Sequence, residues 1–230
     1  MSTDTYKPAL IVVDVQEDFL PPSGSLAVKD GREVIPIINE LIKLPCWSTV
    51  IASLDWHPRD HVSFASNHGL QPFTTKTLPP PSSSVEKEPR EFMLWPDHCV
   101  QDTPGAQLTD ELNQERISHI VKKGTLSTSE YYSGFQDTWG IDHTNMEDIL
   151  RQSKATDVYV VGLAFDYCVF HTAIDAAAKG FNTFIIREAT KAVNSENDSQ
   201  TIHELEKRHV KVISLNGPEL AHLLSKSDTT

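Results

Sequence analysis

The sequence predicts an α/β protein with a three-layer, doubly wound sheet of about six mainly parallel strands. Two patterns support this fold class. Short apolar runs rich in β-branched residues alternate with longer segments whose apolar residues recur at helical spacing, which is the strand–helix–strand order of a parallel sheet. The first run, residues 9–13 (ALIVV), is apolar at every position, as expected for a strand buried on both faces.

The predicted elements follow in order along the chain. Strands are predicted over residues 9–13, 49–54, 117–121, 157–161, 181–186 and 210–215, and helices over 33–44, 144–153, 166–179, 199–208 and 219–224. The first helix has apolar residues at helical spacing and ends before Pro45, because proline cannot continue a helix.

One long segment, residues 58–105, interrupts this alternation and is dominated by Pro, Ser, His and aromatic residues. So long a connection in a compact domain is expected to be functional in part, and we expect disorder or variability around residues 78–90. The prediction is therefore a single domain over residues 1–230 with one long loop insertion at about 58–105.

Composition restricts the class of protein. The 230 residues can bury roughly 70% of the surface of the unfolded chain. Three cysteines without a C-x-x-C spacing favour a reducing compartment. A net charge of −12 with dispersed Lys and Arg argues against a nucleic-acid groove. No membrane-spanning run or targeting signal is recognised, so we expect a cytoplasmic protein without membrane or nucleic-acid partners; import into the nucleus or peroxisome stays open.

A candidate nucleophile lies at the start of the third predicted helix. The strand over residues 157–161 ends at Gly162, and Asp166 offers an N-cap to the helix that follows. Cys168 would then lie in the first helical turn, where the helix dipole would lower its thiol pKa and favour the thiolate. Taken alone, Cys168 is better explained as a small buried hydrophobic residue.

Two charged side chains at other strand ends strengthen the case for catalysis. Asp14 follows the first strand and Lys123 follows the strand over 117–121. The carboxyl ends of parallel strands share one edge, so both residues can converge on Cys168. A thiol needs a base to take its proton and a positive charge to stabilise the developing anion. The three residues are therefore catalytic candidates, although Asp14 alone could be a cap and Lys123 alone a surface charge.

A candidate metal site begins at the end of the second strand. Asp55 and His57 are two residues apart, so both side chains point to the same face of an extended backbone, and their O and N donors suit Zn²⁺ or a similar ion. His61, His68 and His98 follow in the long loop, and His98 is favoured because aromatic and apolar residues flank it. On spacing alone, a metal site and a set of structural histidines are equally good interpretations.

Five motifs occur in a fixed order along the chain: IVVDVQEDF at 11–19, DWHP at 55–58, WPDHCV at 95–100, KG at 123–124 followed by EYYSGF at 130–135, and GLAFDYCV at 162–169. Over residues 9–215 the chain resembles the nicotinamidases of the isochorismatase-like cysteine hydrolase superfamily, and it looks most like the fungal members. The resemblance implies an isochorismatase-like hydrolase fold. It also implies hydrolysis of nicotinamide, and of pyrazinamide, to the acid and ammonia through a Cys168 thioester, in NAD salvage.

The resemblance also implies roles for individual residues. The implied catalytic triad is Asp14, Lys123 and Cys168, and the implied ligands of Zn²⁺ or another divalent ion are Asp55, His57 and His98. A cis peptide is implied between Leu163 and Ala164, with the N–H groups of Ala164 and Cys168 forming an oxyanion hole. Whether His61 or Ser63 adds a further metal ligand stays open.

Four aromatic residues are candidates for the wall of a pocket around a flat ring, with simple core packing as the alternative. They are Phe19, Trp95, Tyr132 and Tyr167.

Other functions on the same fold stay open. One is a related amidase for a carbamoyl compound or an isochorismatase-type vinyl-ether hydrolase, although the three metal-ligand candidates together with a thiol favour nicotinamide. Another is an inactive relative that serves as a scaffold. A third is a metal-dependent hydrolase in which Cys168 is structural. The oligomeric state also stays open, with a homo-oligomer among the expected forms.

Overall fold

A parallel sheet forms the centre of the protein. The computed structural model describes residues 6–227, with side chains described through residue 225. The described strands are β1 (Pro8–Val13), β2 (Thr49–Asp55), β3 (Thr74–Leu78), β4 (Arg90–Leu94), β5 (His119–Lys123), β6 (Asp157–Leu163), β7 (Asn182–Lys191) and β8 (Val210–Ile213). Six of them pair in the order β5-β2-β1-β6-β7-β8, and every neighbouring pair is parallel.

Helices cover both faces of this sheet. They are α1 (Val34–Lys43), α2 (Met146–Gln152), α3 (Phe170–Ala178), α4 (Asp198–Lys207) and α5 (Pro218–Ser227). One core cluster joins α1 and α5 to Leu10 and Val12 of β1, and the other joins α2, α3 and α4 to Ile11 and Val13. Successive residues of a strand point to opposite faces, so β1 supplies apolar side chains to both cores. The predicted three-layer fold is confirmed.

Two elements of the long insertion were missed by the sequence prediction. Strands β3 and β4 pair antiparallel as a separate two-stranded sheet, and the connecting residues 79–89 contain no helix or strand. The central strands also extend beyond their predicted ends. Strand β5 lies two residues later than predicted and therefore ends at Lys123 itself, while β6 continues through Gly162 to Leu163.

The start of the third helix differs from the prediction. Residues Phe165–Val169 form a π-helical turn, and α3 begins only at Phe170. Asp166 is not an N-cap: its carboxylate accepts hydrogen bonds from the N–H groups of Val193 (2.8 Å) and Asn194 (2.9 Å) in the loop after β7. Cys168 therefore lies in the π-helical turn and not in the first turn of α3.

None of the helices within residues 6–227 combines the length and the apolar character that a membrane span requires.

Candidate active site

Three residues from different strand ends meet at the carboxyl edge of the sheet. Asp14 follows β1, Lys123 ends β5 and Cys168 follows β6. The Nζ atom of Lys123 lies 2.9 Å from Oδ2 of Asp14 and 3.4 Å from Sγ of Cys168. Their exposed fractions are 0% for Asp14, 1% for Lys123 and 7% for Cys168. The structure thus brings the three catalytic candidates together in a site almost closed to water.

The charges of Asp14 and Lys123 stabilise each other. Burial raises the pKa of the Asp14 carboxyl, while Lys123 and a 2.6 Å hydrogen bond from the hydroxyl of Ser53 oppose that rise. Burial alone would lower the pKa of Lys123, but the carboxylates of Asp14 and Asp55 raise it well above its ordinary value. The site therefore holds a persistent positive charge beside a carboxylate that binds protons more readily than usual.

The environment of Cys168 contradicts one expectation from the sequence. Burial raises the pKa of its thiol well above the ordinary value, and the carboxylates of Asp14 and Asp55 raise it further, although Lys123 acts in the opposite direction. The predicted lowering by a helix dipole was wrong, because the thiol is desolvated and lies before α3. A base is therefore needed to generate the thiolate.

The backbone around the nucleophile has two specific features. The peptide between Leu163 and Ala164 is cis, as the resemblance implied. Gly162 has φ +111°, and a Cβ at this position would overlap the carbonyl oxygen of Val13 on the neighbouring strand. The N–H groups of Tyr167 and Val169 both donate to the carbonyl of Ala164, at 3.1 and 3.0 Å. These two bonds connect the π-helical turn to the residue that directly follows the cis peptide bond.

A second cluster lies beside the first and contains the three predicted metal-ligand candidates. Ligand atoms of Asp55, His57 and His98 all lie within 4.8 Å of one another, and all three residues are buried. The Nε2 atoms of His57 and His98 lie 3.6 and 3.8 Å from Oδ2 of Asp55. The other carboxylate oxygen of Asp55 accepts a hydrogen bond from Lys123, which connects this cluster to the catalytic candidates.

The hydrogen bonds of the two histidines test whether the cluster fits a divalent metal. Nδ1 of His57 donates to the carbonyl of Gly124 at 3.0 Å, and Nδ1 of His98 donates to the carbonyl of Pro96 at 2.7 Å. In both rings Nδ1 is therefore protonated and Nε2 faces Asp55. Metal-binding histidines typically donate one ring N–H to a carbonyl in this way and use the other nitrogen as the ligand. Burial and the neighbouring His57 lower the pKa of His98 to about 4, which keeps that ring neutral. The donor set fits a divalent cation.

The glycine after Lys123 makes room for this cluster. Gly124 has φ +65°, and a Cβ there would overlap the imidazole ring of His57. The two residues of the Lys-Gly motif therefore have different roles. Lys123 contacts the thiol of Cys168, and Gly124 has no side chain that would collide with the ring of His57.

His61 and Ser63, left open as further metal ligands, form a hydrogen bond with each other, and a ligand atom of His61 lies within 4.8 Å of those of His57 and Glu130. Nδ1 of His61 lies 2.7 Å from the hydroxyl of Ser63, and Nε2 lies 3.0 Å from the carbonyl of Ser129. The His61 ring stacks on His57 with centroids 4.0 Å apart, so it packs behind that residue. His68 bonds to the carbonyl of Val62 and to Lys76.

A pocket opens above both clusters, and all four predicted aromatic residues line it. Phe19, Trp95, Tyr132 and Tyr167 share this pocket with Cys168, Asp55 and His98. Trp95 packs edge-on against Tyr167 with centroids 5.0 Å apart, and its indole N–H donates to the hydroxyl of Tyr132 at 3.3 Å. Trp95, Tyr132 and Tyr167 therefore form a connected wall of the pocket, while Phe19 packs against His98.

Several lining residues were not singled out from the sequence. They are Leu26, Val28, Glu130, Tyr131, Ala164 and Val193. Ala164 was named from the sequence only for its backbone N–H. Glu130 belongs to the EYYSGF motif, which was its only signal in the sequence. Val193 reaches the pocket because Asp166 binds its loop, a long-range contact that no local pattern reveals.

Comparison with known proteins identifies the family of most of the chain. A model of the isochorismatase domain matches residues 8–217. The chain belongs to the isochorismatase family. Within this family, the nicotinamidase of Saccharomyces cerevisiae is 38% identical over 213 residues, which cover 90% of this chain and 97% of the relative.

Solved structures of the isochorismatase family agree with this placement. A crystal structure of yeast nicotinamidase bound to the inhibitor nicotinaldehyde has a TM-score of 0.86 at 37% identity, covering 90% of this chain and 99% of that one. The pyrazinamidase of Pyrococcus horikoshii in complex with zinc has a TM-score of 0.71 at 34% identity, with coverages of 90% and 99%. The predicted fold and the resemblance to nicotinamidases are both confirmed.

Proposed function

We propose that this protein is a nicotinamidase, which hydrolyses nicotinamide to nicotinic acid and ammonia. One observation carries the proposal: the thiol of Cys168, the ammonium of Lys123 and the carboxylate of Asp14 meet at the base of an aromatic pocket. Such a site suits acyl transfer from a flat aromatic amide. The relative from Mycobacterium tuberculosis is a nicotinamidase/pyrazinamidase, 33% identical over 89% of this chain, which supports pyrazinamide as a second substrate.

The first half of the reaction forms a thioester. Asp14 takes the proton of Cys168, and the sulfur attacks the carboxamide carbon, forming a C–S bond while the C=O electron pair moves to oxygen. The ammonium of Lys123 stabilises the negative charge near the sulfur. The N–H groups of Ala164 and Cys168, both residues of the pocket wall, are proposed to bind the oxyanion. When it collapses, the C–N bond breaks, Asp14 returns the proton to nitrogen and ammonia leaves.

The second half of the reaction returns the free enzyme. Water enters the space that ammonia has left, and Asp14 takes a proton from it. The resulting hydroxide attacks the thioester carbon, the C–S bond breaks and nicotinic acid leaves. The proton held by Asp14 goes back to the Cys168 sulfur. The raised pKa of Asp14 suits a group that must accept and donate a proton twice in each cycle.

A divalent cation fits beside the thiol, and we propose zinc, held by Asp55, His57 and His98. The zinc complex of the Pyrococcus relative and the three clustered donors support this choice. When bound, the ion supplies a Lewis acid for the ring nitrogen of the substrate. The protein groups around it hold the ring in place: the aromatic wall of Phe19, Trp95, Tyr132 and Tyr167 packs against the ring.

The proposed cellular setting is NAD salvage in the cytoplasm, where nicotinic acid returns to the synthesis of the cofactor. The nicotinamidase relatives support the pathway. The composition supports the compartment, since three cysteines without disulfides suit a reducing environment.

Ammonia release from nicotinamide tests this function. The wild type, Cys168→Ala and chelator-treated wild type are compared at equal concentration. We expect ammonia from the wild type, none above background from Cys168→Ala, and recovery of the treated protein when Zn²⁺ is returned. If the wild type supplied with Zn²⁺ released no ammonia from nicotinamide, the nicotinamidase assignment would be overturned. Carbamoyl and vinyl-ether substrates would then be tested.

A further inference from the structure

The end of strand β2 lacks a partner strand on one side. The ladder between β1 and β2 ends with the pair Val13 and Ser53, and the N–H of Asp14 makes the last backbone bond, 3.2 Å to the carbonyl of Ser53. Strand β2 nevertheless continues to Asp55. On its other side, β2 stays paired with β5 as far as Asp55 and Lys123.

The side chain of Gln16 occupies the place of the missing strand. Its Nε2 donates to the carbonyl of Asp55 at 2.8 Å, and its Oε1 accepts the N–H of Asp55 at 2.8 Å. In a parallel sheet the N–H and C=O of one residue point to the same side, where a neighbouring strand bonds to both. The amide of Gln16 makes this same pair of bonds and so extends the sheet by one residue.

Both N–H donors of the Gln16 side-chain amide make hydrogen bonds. The second donor of Nε2 binds the carbonyl of Ala106 at 2.9 Å, and the residue is 0% exposed. Loss of this side chain would leave the backbone N–H and C=O of Asp55 without these two partners, and a buried backbone group without a hydrogen bond is destabilising. The backbone of Asp55 would then shift to find new partners.

We propose that Gln16 is a positioning residue for the metal site, acting through the backbone of Asp55. This inference rests on the proposed metal-binding role of Asp55, His57 and His98. The carboxylate of Asp55 faces the Nε2 atoms of both histidines with one oxygen and Lys123 with the other. A small rotation of its backbone therefore moves a metal ligand and a partner of Lys123 together.

Zinc affinity tests the proposal without reference to catalysis. The Kd for Zn²⁺ is measured by competition with a chromophoric chelator for the wild type and Gln16→Met, a variant of similar size that lacks the amide. Loss of groups that orient metal ligands typically weakens metal binding by about 10–100-fold, and we expect a loss in that range. Gln16→Glu is the second variant if Gln16→Met does not fold; it keeps the acceptor for the Asp55 N–H but loses both donors.

Thr183→Val is the matched control. It removes a buried 3.0 Å bond from the Thr183 hydroxyl to the carbonyl of Phe181, at the opposite end of the sheet, and should lower the Tm without changing the Kd for Zn²⁺. A Gln16 variant that loses Tm but binds Zn²⁺ as tightly as the wild type would overturn the proposal, since Gln16 would then be merely structural.

Two measurements on the wild type, zinc binding and ammonia release, distinguish a failure of this inference from a failure of the proposed activity. A wild type that binds Zn²⁺ but releases no ammonia from nicotinamide would contradict the activity, while the comparison of zinc affinities would still decide the role of Gln16. A wild type that binds no Zn²⁺ would overturn the metal site and the positioning role together.

Discussion

The Nζ atom of Lys123 lies 2.9 Å from Oδ2 of Asp14, although the strands that carry the two residues are separated in the sheet by β2. The lysine reaches across the end of β2 and pairs with Asp55 on the way. One buried ammonium therefore pairs with two buried carboxylates. Removal of this single charge would leave the Asp14 carboxylate without its cationic partner in a desolvated site and would take one of the partners of Asp55 away.

Lys123→Met is expected to destabilise the protein strongly and to abolish ammonia release. Loss of one partner of a buried ion pair typically costs about 3–5 kcal/mol, and the sulfur of Cys168 loses the ammonium that lies 3.4 Å away. Denaturant unfolding at pH 7 measures the stability, and an ammonia assay measures the activity. Lys122→Met is the control, because Lys122 is exposed and its ammonium lies 3.5 Å from the centroid of the Trp56 ring, a contact that contributes about 0.5–1 kcal/mol. Equal losses in the two variants would contradict the account.

Asp166→Ala is expected to raise the KM for nicotinamide several-fold with little change in kcat. The Asp166 carboxylate binds the loop that carries Val193, and Val193 lines the pocket. A group that binds substrate and transition state equally affects KM alone. Val193→Ala should give a similar rise, and the double variant should be no worse than either single one, since both act on one contact. Fully additive effects would refute the link between the two residues.

Gly162→Ala is expected to be more destabilising than Gly180→Ala. Both glycines have positive φ, +111° and +87°, but a Cβ at Gly162 would overlap the backbone of Val13 whereas a Cβ at Gly180 would meet nothing within 4 Å. The steric overlap should add about 1–3 kcal/mol to the conformational cost shared by both variants. Urea unfolding of the two proteins gives the difference, and equal stabilities would show that the close approach of β6 to β1 has no energetic consequence.

Stability is expected to fall on acidification because of His171. Burial, with smaller effects of Lys123 and Arg208, lowers its pKa from 6.5 to about 4, while its ring stacks on Tyr132 with centroids 5.2 Å apart. Between pH 6.5 and about pH 4, His171 is protonated in the unfolded chain but neutral in the folded protein. The free energy of unfolding therefore falls across this window as the pH decreases.

The variant His171→Phe isolates this contribution. It retains an aromatic ring but cannot titrate, so its free energy of unfolding should fall by roughly 2 kcal/mol less than that of the wild type between pH 7 and pH 5. Urea unfolding at both pH values measures the two losses. Identical losses in the two proteins would show that His171 titrates normally.

The sequence predicted the central sheet well because its strands are apolar on both faces. Residues 9–13 supply side chains to both cores, and a short apolar run rich in β-branched residues is typical of such a fully buried strand. It also predicted that Asp14 and Lys123 would converge on Cys168, since parallel strands share their carboxyl edge. The ribbon of β3 and β4 was missed, because it lies in a segment rich in proline and serine.

The remaining errors concern contacts between residues distant in the chain. Asp166 resembled a helix cap in its local sequence, but its carboxylate binds a loop 27 and 28 residues away. The pKa of Cys168 was predicted from its position near a helix, whereas burial against Asp14 and Asp55 raises it. Gln16 stood in a recognised motif, yet its role depends on where β1 ends relative to β2. Local patterns report none of these relationships.

The central claim is that Cys168 carries the acyl group during catalysis. The most direct test is to mix the enzyme with nicotinamide, quench with acid during turnover and analyse the peptides by mass spectrometry. The account predicts a nicotinoyl thioester on the peptide that contains Cys168, and no adduct on the peptides that contain Cys46 or Cys99. Sustained ammonia release by Cys168→Ala, with no acylated cysteine in the wild type, would contradict it.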